Sequence, residues 1–186
     1  MLDFILSITS KSRPEKIVLS SSRHFTEADI RKIGQECERL IVMDSAVFSK
    51  YGIPEHITPD RAASIIASRY LFKGKGCIIF DFGTTLSSDF LDAEGRYEGG
   101  NISPGLRTRF RALNRYSRSL PLVDAPESES GTGHDIISSI ESGVVSGIIF
   151  ELEGYISRHP EKIYVFTGGD AIYFAKRMKN SIFVVS

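Results

Sequence analysis

The sequence carries no surplus of charge: 23 Lys and Arg stand against 23 Asp and Glu in 186 residues. General nucleic-acid binders and proteins held on anionic lipid need a basic excess, so both classes are disfavoured. Long apolar runs are missing too, and none approaches the ~20 residues that span a bilayer. The opening segment, MLDFILSITSKSRPEK, has a short apolar patch with an acid inside it, which is not the pattern of a secretory signal. Cysteine is scarce. Cys37 and Cys77 lie in segments that read as buried structure and form no CxxC pair, so the expectation is a soluble, cytoplasmic protein. The four histidines, His24, His56, His134 and His159, are scattered without ligand spacing, which argues against a zinc site. Neither a GxSxG elbow nor a Walker loop occurs, and the glycines between Gly99 and Gly105 lack GxGxxG spacing.

What is present is ordinary globular composition, 41% hydrophobic and 25% charged, at a length suited to one domain or two small lobes. Short β-branched runs alternate with helical stretches, the pattern of an α/β fold. Strands are predicted at Lys16–Ser20, Leu40–Met43, Cys77–Phe80, Ile163–Phe166 and Ile182–Val185, and a hairpin over Leu86–Asp92 and Gly95–Gly99. Helices are predicted over Thr26–Arg39 with Thr26 as N-cap, Asp60–Phe72, Leu106–Ser117, Asp135–Arg158 and from Asp170 to Lys179. Asn101–Gly105 is expected to break the sheet, and Pro121–Gly133 to form a loop rich in Pro, Ser, Glu and Gly. The expected organisation is a partial N-terminal lobe, 1–70, before a complete C-terminal lobe, 71–186, with pieces missing at both ends.

Four constellations are candidates for chemistry. Asp81-Phe82-Gly83-Thr84-Thr85 follows an apolar strand, where open α/β sheets leave a ligand crevice. A carboxylate beside glycine and two hydroxyls supplies a cation ligand, a close backbone approach and donors for phosphate; a turn-initiating Asp is the plain alternative. Thr167-Gly168-Gly169-Asp170 joins a strand to a helix start, suiting either phosphate or a loop that needs positive φ. At Thr58-Pro59-Asp60-Arg61, cap, Pro and acid make a sound helix start that needs no function, yet Asp60 there also suits a general base with Arg61 steadying an anion. Gly99–Gly105 forms either a backbone-rich rim or a simple connection. Arg107, Arg109, Arg111, Arg115 and Arg118 give the following helix a basic face, solvated or anion-steering.

Taken in order, these segments resemble the type III pantothenate kinase family of the acetate kinase, hexokinase and actin superfamily. The resemblance runs from about Tyr51 to Phe183 and rests on YGIPEHITPDRAA, IFDFGTTLSSDFLDAEGRYEGGNISPGLRTRFRALNRYSRSLPLVD, SSIESGVVSGIIFELEGYI and VFTGGDA. It implies a ribonuclease-H-like lobe with a mixed sheet and flanking helices, preceded by a partial second lobe. It implies phosphorylation of pantothenate with ATP, the first step of coenzyme A synthesis, using Mg2+ and a monovalent cation (K+ or NH4+), in a homodimer with the site at the subunit boundary. Carried over by position, Asp60 is the proton acceptor and Asp81 the monovalent-cation ligand. Tyr51, Thr58, Pro59, Arg61 and Ile136 lie on the acceptor, and Gly83, Thr84, Gly168 and Gly169 on the nucleotide.

Departures from the family pattern are visible. Its opening strand and Asp-x-Gly-Asn-Thr phosphate loop have no counterpart before Lys16. Thr58 stands where a Gly is usual, and Ile136 where a Thr contacts pantothenate. A shortened kinase, a non-catalytic paralogue acting as a binding or transcriptional accessory protein, and a kinase for another small molecule are therefore the three readings. One further expectation concerns association. Ile136, Ile137, Ile140, Val144, Val145, Ile148, Ile149, Leu152 and Ile156 cover more of their helix than one ~100° core stripe needs. The remainder is buried either against a second subunit or inside the lobe.

Overall fold

In the computed structural model, residues 2–21, 25–127, 131–178 and 182–184 are described, the last three by backbone only. The chain divides into two units, Met1–Ala67 and Ser68–Ser186, and the division falls within helix α4 (Pro59–Leu71).

In the first unit, β1 (Lys16–Leu19) and β2 (Arg39–Val42) pair in parallel, Ile17 beside Leu40 and Val18 beside Ile41. Parallel pairing needs a crossover, and α2 (Glu27–Gly34) supplies it. Thr26 and Asp29 form a reciprocal capping box at its start, and the Thr26 hydrogen bonds hold the Asp29 carboxyl below its ordinary value. The helix ends at Gly34 rather than Arg39, because the Arg39 amide bonds the Glu15 carbonyl and the chain must turn before that pairing begins. Two helices lie outside the sequence expectation. In α1 (Leu2–Ser12), Ser7, Thr9 and Ser12 fold their hydroxyls back onto carbonyls three or four residues earlier, which weakens the sequence signal of a helix. The other, α3 (Ser45–Tyr51), is capped by the Asp44 carboxylate on the Val47 amide and stopped by Gly52 at φ +60°. Ile33, Phe48, Ile53, Ile57, Ala62 and Ile65 are buried here.

The second unit is built on a five-stranded mixed sheet: β3 (Cys77–Phe82), β4 (Thr85–Leu91), β5 (Tyr97–Pro104), β6 (Ile163–Gly168) and β7 (Ile182–Val184). Its order is β5-β4-β3-β6-β7, with β3–β4–β5 antiparallel and β3, β6 and β7 parallel, the ribonuclease-H-like arrangement. Helices α5 (Leu106–Tyr116) and α6 (Ile136–Arg158) contribute to one core with the sheet. Alternation sends Ile78, Phe80 and Phe82 into that core with Phe166, Phe110, Val144, Ile148 and Leu152. Phe82 stacks on Phe174 with ring centroids 5.1 Å apart.

Three boundaries are corrected. Strand β3 does not stop at Asp81 but runs through Phe82, because Asp81 is laddered on both sides, to Ser87 and to Thr167. Asn101–Pro104 continues β5 instead of breaking the sheet; β5 is an outer strand, where Pro104 at the end forfeits no needed donor. Helix α7 spans only Ala171–Ala175, so it closes well before Lys179, which with Val185 lies outside the described residues. By contrast α6 opens where the helical pattern predicts, and Asp135 caps it by accepting from the Ser138 amide. No helix among the described residues is long and apolar enough to cross a membrane.

Candidate functional site

Extending β3 and β4 leaves only Gly83 and Thr84 between them, so the predicted five-residue crevice loop contracts to a two-residue turn. The turn is held from the start of α5. The Gly105 amide donates to the Thr84 carbonyl at 3.0 Å and the Thr108 hydroxyl donates to the same oxygen at 2.6 Å. Gly105 is packed on the turn so closely that a Cβ there would overlap the Gly83 carbonyl oxygen and lie 2.9 Å from that of Thr84. The carbonyl of Thr84 is thereby fixed, and the Gly83 amide donates to the Thr85 carbonyl at 3.0 Å, while both turn residues are exposed. This clamp was not anticipated: Gly105 and Thr108 lie about twenty residues along, and only the turn of β5 into α5 returns them.

Asp81 sits one step inside the sheet. Strand alternation puts it on the face opposite Phe80 and Phe82, and register sets Ser87 on one side of it and Thr167 on the other. Gly168 follows at φ +91°, beyond the reach of ordinary side-chain-bearing residues. A Cβ there would fall 2.5 Å from an Asp81 carboxylate oxygen and 2.6 Å from the Phe82 carbonyl. A carboxylate and a carbonyl oxygen therefore converge in a cradle that a Cβ would fill, with the Phe82 backbone nitrogen 2.7 Å from the same point. Such hard oxygens are the donors that suit an alkali or alkaline-earth cation. Among the described residues, no group of three or more His, Cys, Asp or Glu gathers into a metal site. Gly169 is exposed just beyond, before the short α7.

The remaining predicted residues form two further groups. In the first unit, Tyr51 ends α3 and Lys50 lies over its ring, the ammonium 5.5 Å from the centroid. Thr58 offers its carbonyl to the Ala62 amide at 2.9 Å, Pro59 begins α4, and Asp60 follows in the first turn with its side chain exposed. Arg61, in contrast, is buried. In the second unit, Ile136 opens α6, 58% exposed, and lines a cavity of about 1120 Å3 with Arg109, Leu113, Tyr116, Ile140 and Gly143. Arg109 is tied there to Glu151 by an ion pair, while its Nε donates to the Pro104 carbonyl. Ser103 donates to the other Glu151 oxygen at 2.7 Å. These contacts lock β5, α5 and α6 together, so Arg109 is a brace and not part of a loose solvated basic face.

The family model for "Type III pantothenate kinase" matches residues 6–158. The chain belongs to the type III pantothenate kinase family. A type III pantothenate kinase from Phocaeicola vulgatus is 39% identical over 141 residues, 74% of this chain and 58% of that protein. Another, from Bacteroides fragilis, is 33% identical over 190 residues, 98% of this chain and 78% of that protein. The chain thus spans between three-fifths and four-fifths of these relatives. The match reaches back to residue 6, well before the Tyr51 at which the resemblance was first legible, although residues 2–12 form α1 rather than a strand and phosphate loop. Among solved structures, a protein described as a conserved Baf family transcriptional activator from Campylobacter jejuni matches with a TM-score of 0.62 at 19% identity, covering 91% of this chain and 75% of its own. At that identity the likeness is one of fold.

Proposed function

We propose that this chain phosphorylates pantothenate with ATP. Asp60 removes the proton from the acceptor hydroxyl as that oxygen attacks the γ-phosphorus, and ADP leaves. Phosphoryl transfer asks the protein mainly for positioning and charge neutralisation. The observation that supports the reading most is the clamped Gly83-Thr84 turn beside the Asp81–Gly168 oxygen cradle, in a chain of this family. Thr84 and the Gly83, Gly168 and Gly169 backbones hold nucleotide phosphates, and Asp81 holds K+ or NH4+. When bound, Mg2+ neutralises phosphate charge; it is carried chiefly by ATP itself, in keeping with its habit of binding few carboxylates. Tyr51, Thr58, Pro59 and Arg61 act on the acceptor, and Ile136 offers it an apolar contact. The accessory-protein reading gains nothing from the Campylobacter structure, which shares only fold.

A homodimer is part of the proposal. Ile140, Val144, Val145, Ile148, Leu152 and Ile156 are buried in the lobe, but Ile136, Ile137 and Phe150 stay 58%, 55% and 67% exposed, which leaves α6 apolar side chains for a second subunit to cover. Sedimentation at micromolar concentration should give a dimer; a monomer would count against a site completed by two subunits. For the activity itself, coupled ADP release with ATP, Mg2+ and K+ should depend on added pantothenate, and its absence overturns the reading. In the same assay Ile136→Thr should lower KM for pantothenate about tenfold if it restores one hydrogen bond.

A further inference from the structure

On the face of the second-unit sheet turned away from Phe80 and Phe82, four polar side chains lie together. Asp81 in β3 is flanked by Ser87 in β4 and Thr167 in β6, and Asp89 follows two residues after Ser87 on the same face. Ser87 and Asp89 are 3% and 1% exposed. The Ser87 hydroxyl has no hydrogen-bond partner among the described residues. A buried hydroxyl stripped of water and left unpaired is destabilising, and strand interiors ordinarily exclude one. Directly opposed residues of an antiparallel pair hold their Cβ atoms only about 4.5–5.5 Å apart, so Ser87 and Asp81 are side-chain neighbours on this face. On the other side, the Gly168 backbone passes close against Asp81, a Cβ there falling 2.5 Å from the carboxylate oxygen and 2.6 Å from the Phe82 carbonyl.

We infer that the Ser87 hydroxyl is a further oxygen ligand of a monovalent cation held at Asp81, approaching that carboxylate from the β4 side, opposite Gly168. The inference rests on the assignment of Asp81 to that cation. Potassium and ammonium are met by mixed carbonyl, carboxylate and hydroxyl oxygens, and a neutral hydroxyl adds a donor without adding charge.

This account gives opposite signs with and without the ion. Thermal unfolding of the full chain is followed against KCl, with choline chloride holding ionic strength constant. Ser87→Ala should leave the midpoint in choline unchanged or higher, since an unpaired hydroxyl is removed. The same variant should raise the K+ concentration for half-maximal stabilisation about tenfold. Ser87→Thr, which keeps the hydroxyl, should restore the K+ response, and Asp81→Asn should abolish it. If Ser87→Ala shifts the midpoint equally in both salts, Ser87 is a packing residue and the inference fails while the assignment of Asp81 stands. If Asp81→Asn or the parent chain shows no altered or no K+ response, the cation assignment fails and takes the inference with it. None of these readouts requires turnover, so inactivity toward pantothenate is a separate result.

Discussion

Asp60→Asn should lower kcat by roughly 100- to 10,000-fold, the range a positioned general base contributes. Asn matches Asp in size and still accepts a hydrogen bond, but it cannot take the proton from an attacking hydroxyl. The structural cost should be small. The Asp60 side chain is exposed in the first turn of α4, and the tie at this residue is the Ser64 hydroxyl bonded to its backbone carbonyl at 3.2 Å, which the variant retains. Loss of charge near the unpaired amides of a helix start weakens a favourable interaction only modestly at an exposed position. Unfolding midpoint and nucleotide affinity should therefore remain near those of the parent, and the loss should appear in kcat far more than in KM. Residual activity within threefold of the parent would remove Asp60 from the role of base. A parallel fall in thermal midpoint would instead assign it to the helix start, the plainer of the two readings its sequence context allowed.

The parts of the fold that were legible are those whose signal is local. CIIF and IYVF are apolar because both faces of β3 and β6 are covered, and short runs of that kind announce buried strands. The helical pattern from Asp135 to Arg158 is likewise local, and α6 spans Ile136–Arg158. What was not legible depends on chain segments meeting at a distance. Asp81 looks like the residue after a strand because a carboxylate is unexpected in a ladder; that it lies inside one follows from pairing with Ser87 and Thr167. The same reason hid the Gly83-Thr84 clamp, since nothing adjacent to either residue points to Gly105 or Thr108. The glycine at 168 was read as permitting a ligand approach or a positive φ. The structure has the positive φ, +91°, which allows the backbone to pass beside Asp81. Of the site, residue types and order were readable from motifs, while the wall that faces each residue was not.

Replacing Gly105 by Ala should destabilise the second unit by about 3 kcal/mol, the upper part of the usual overpacking range. The reason is not backbone conformation: Gly105 has φ −71°, open to any residue, so the entropy argument that ordinarily attends glycine predicts a slight gain here. Sterics decide the sign. The added Cβ overlaps the Gly83 carbonyl oxygen and comes within 2.9 Å of the Thr84 oxygen and 3.1 Å of its carbon, all backbone atoms that have no rotamer to escape into. Either the turn moves outward or the first turn of α5 opens, and both separate the Thr84 carbonyl from the Gly105 amide and the Thr108 hydroxyl. Urea unfolding should report the loss, with Gly34→Ala as the contrast. There the Cβ meets Leu40 at an ordinary 3.6 Å within a helix, and the change should be neutral or stabilising by up to ~1 kcal/mol. Thr108→Val removes the second hydrogen bond without the overlap and should cost only about 1 kcal/mol. If the turn carries nucleotide phosphate, Gly105→Ala weakens ATP binding at least tenfold and Thr108→Val only a few-fold. Equal losses for the two variants would mean that the hydrogen bonds, and not the close packing of Gly105, hold the turn in place.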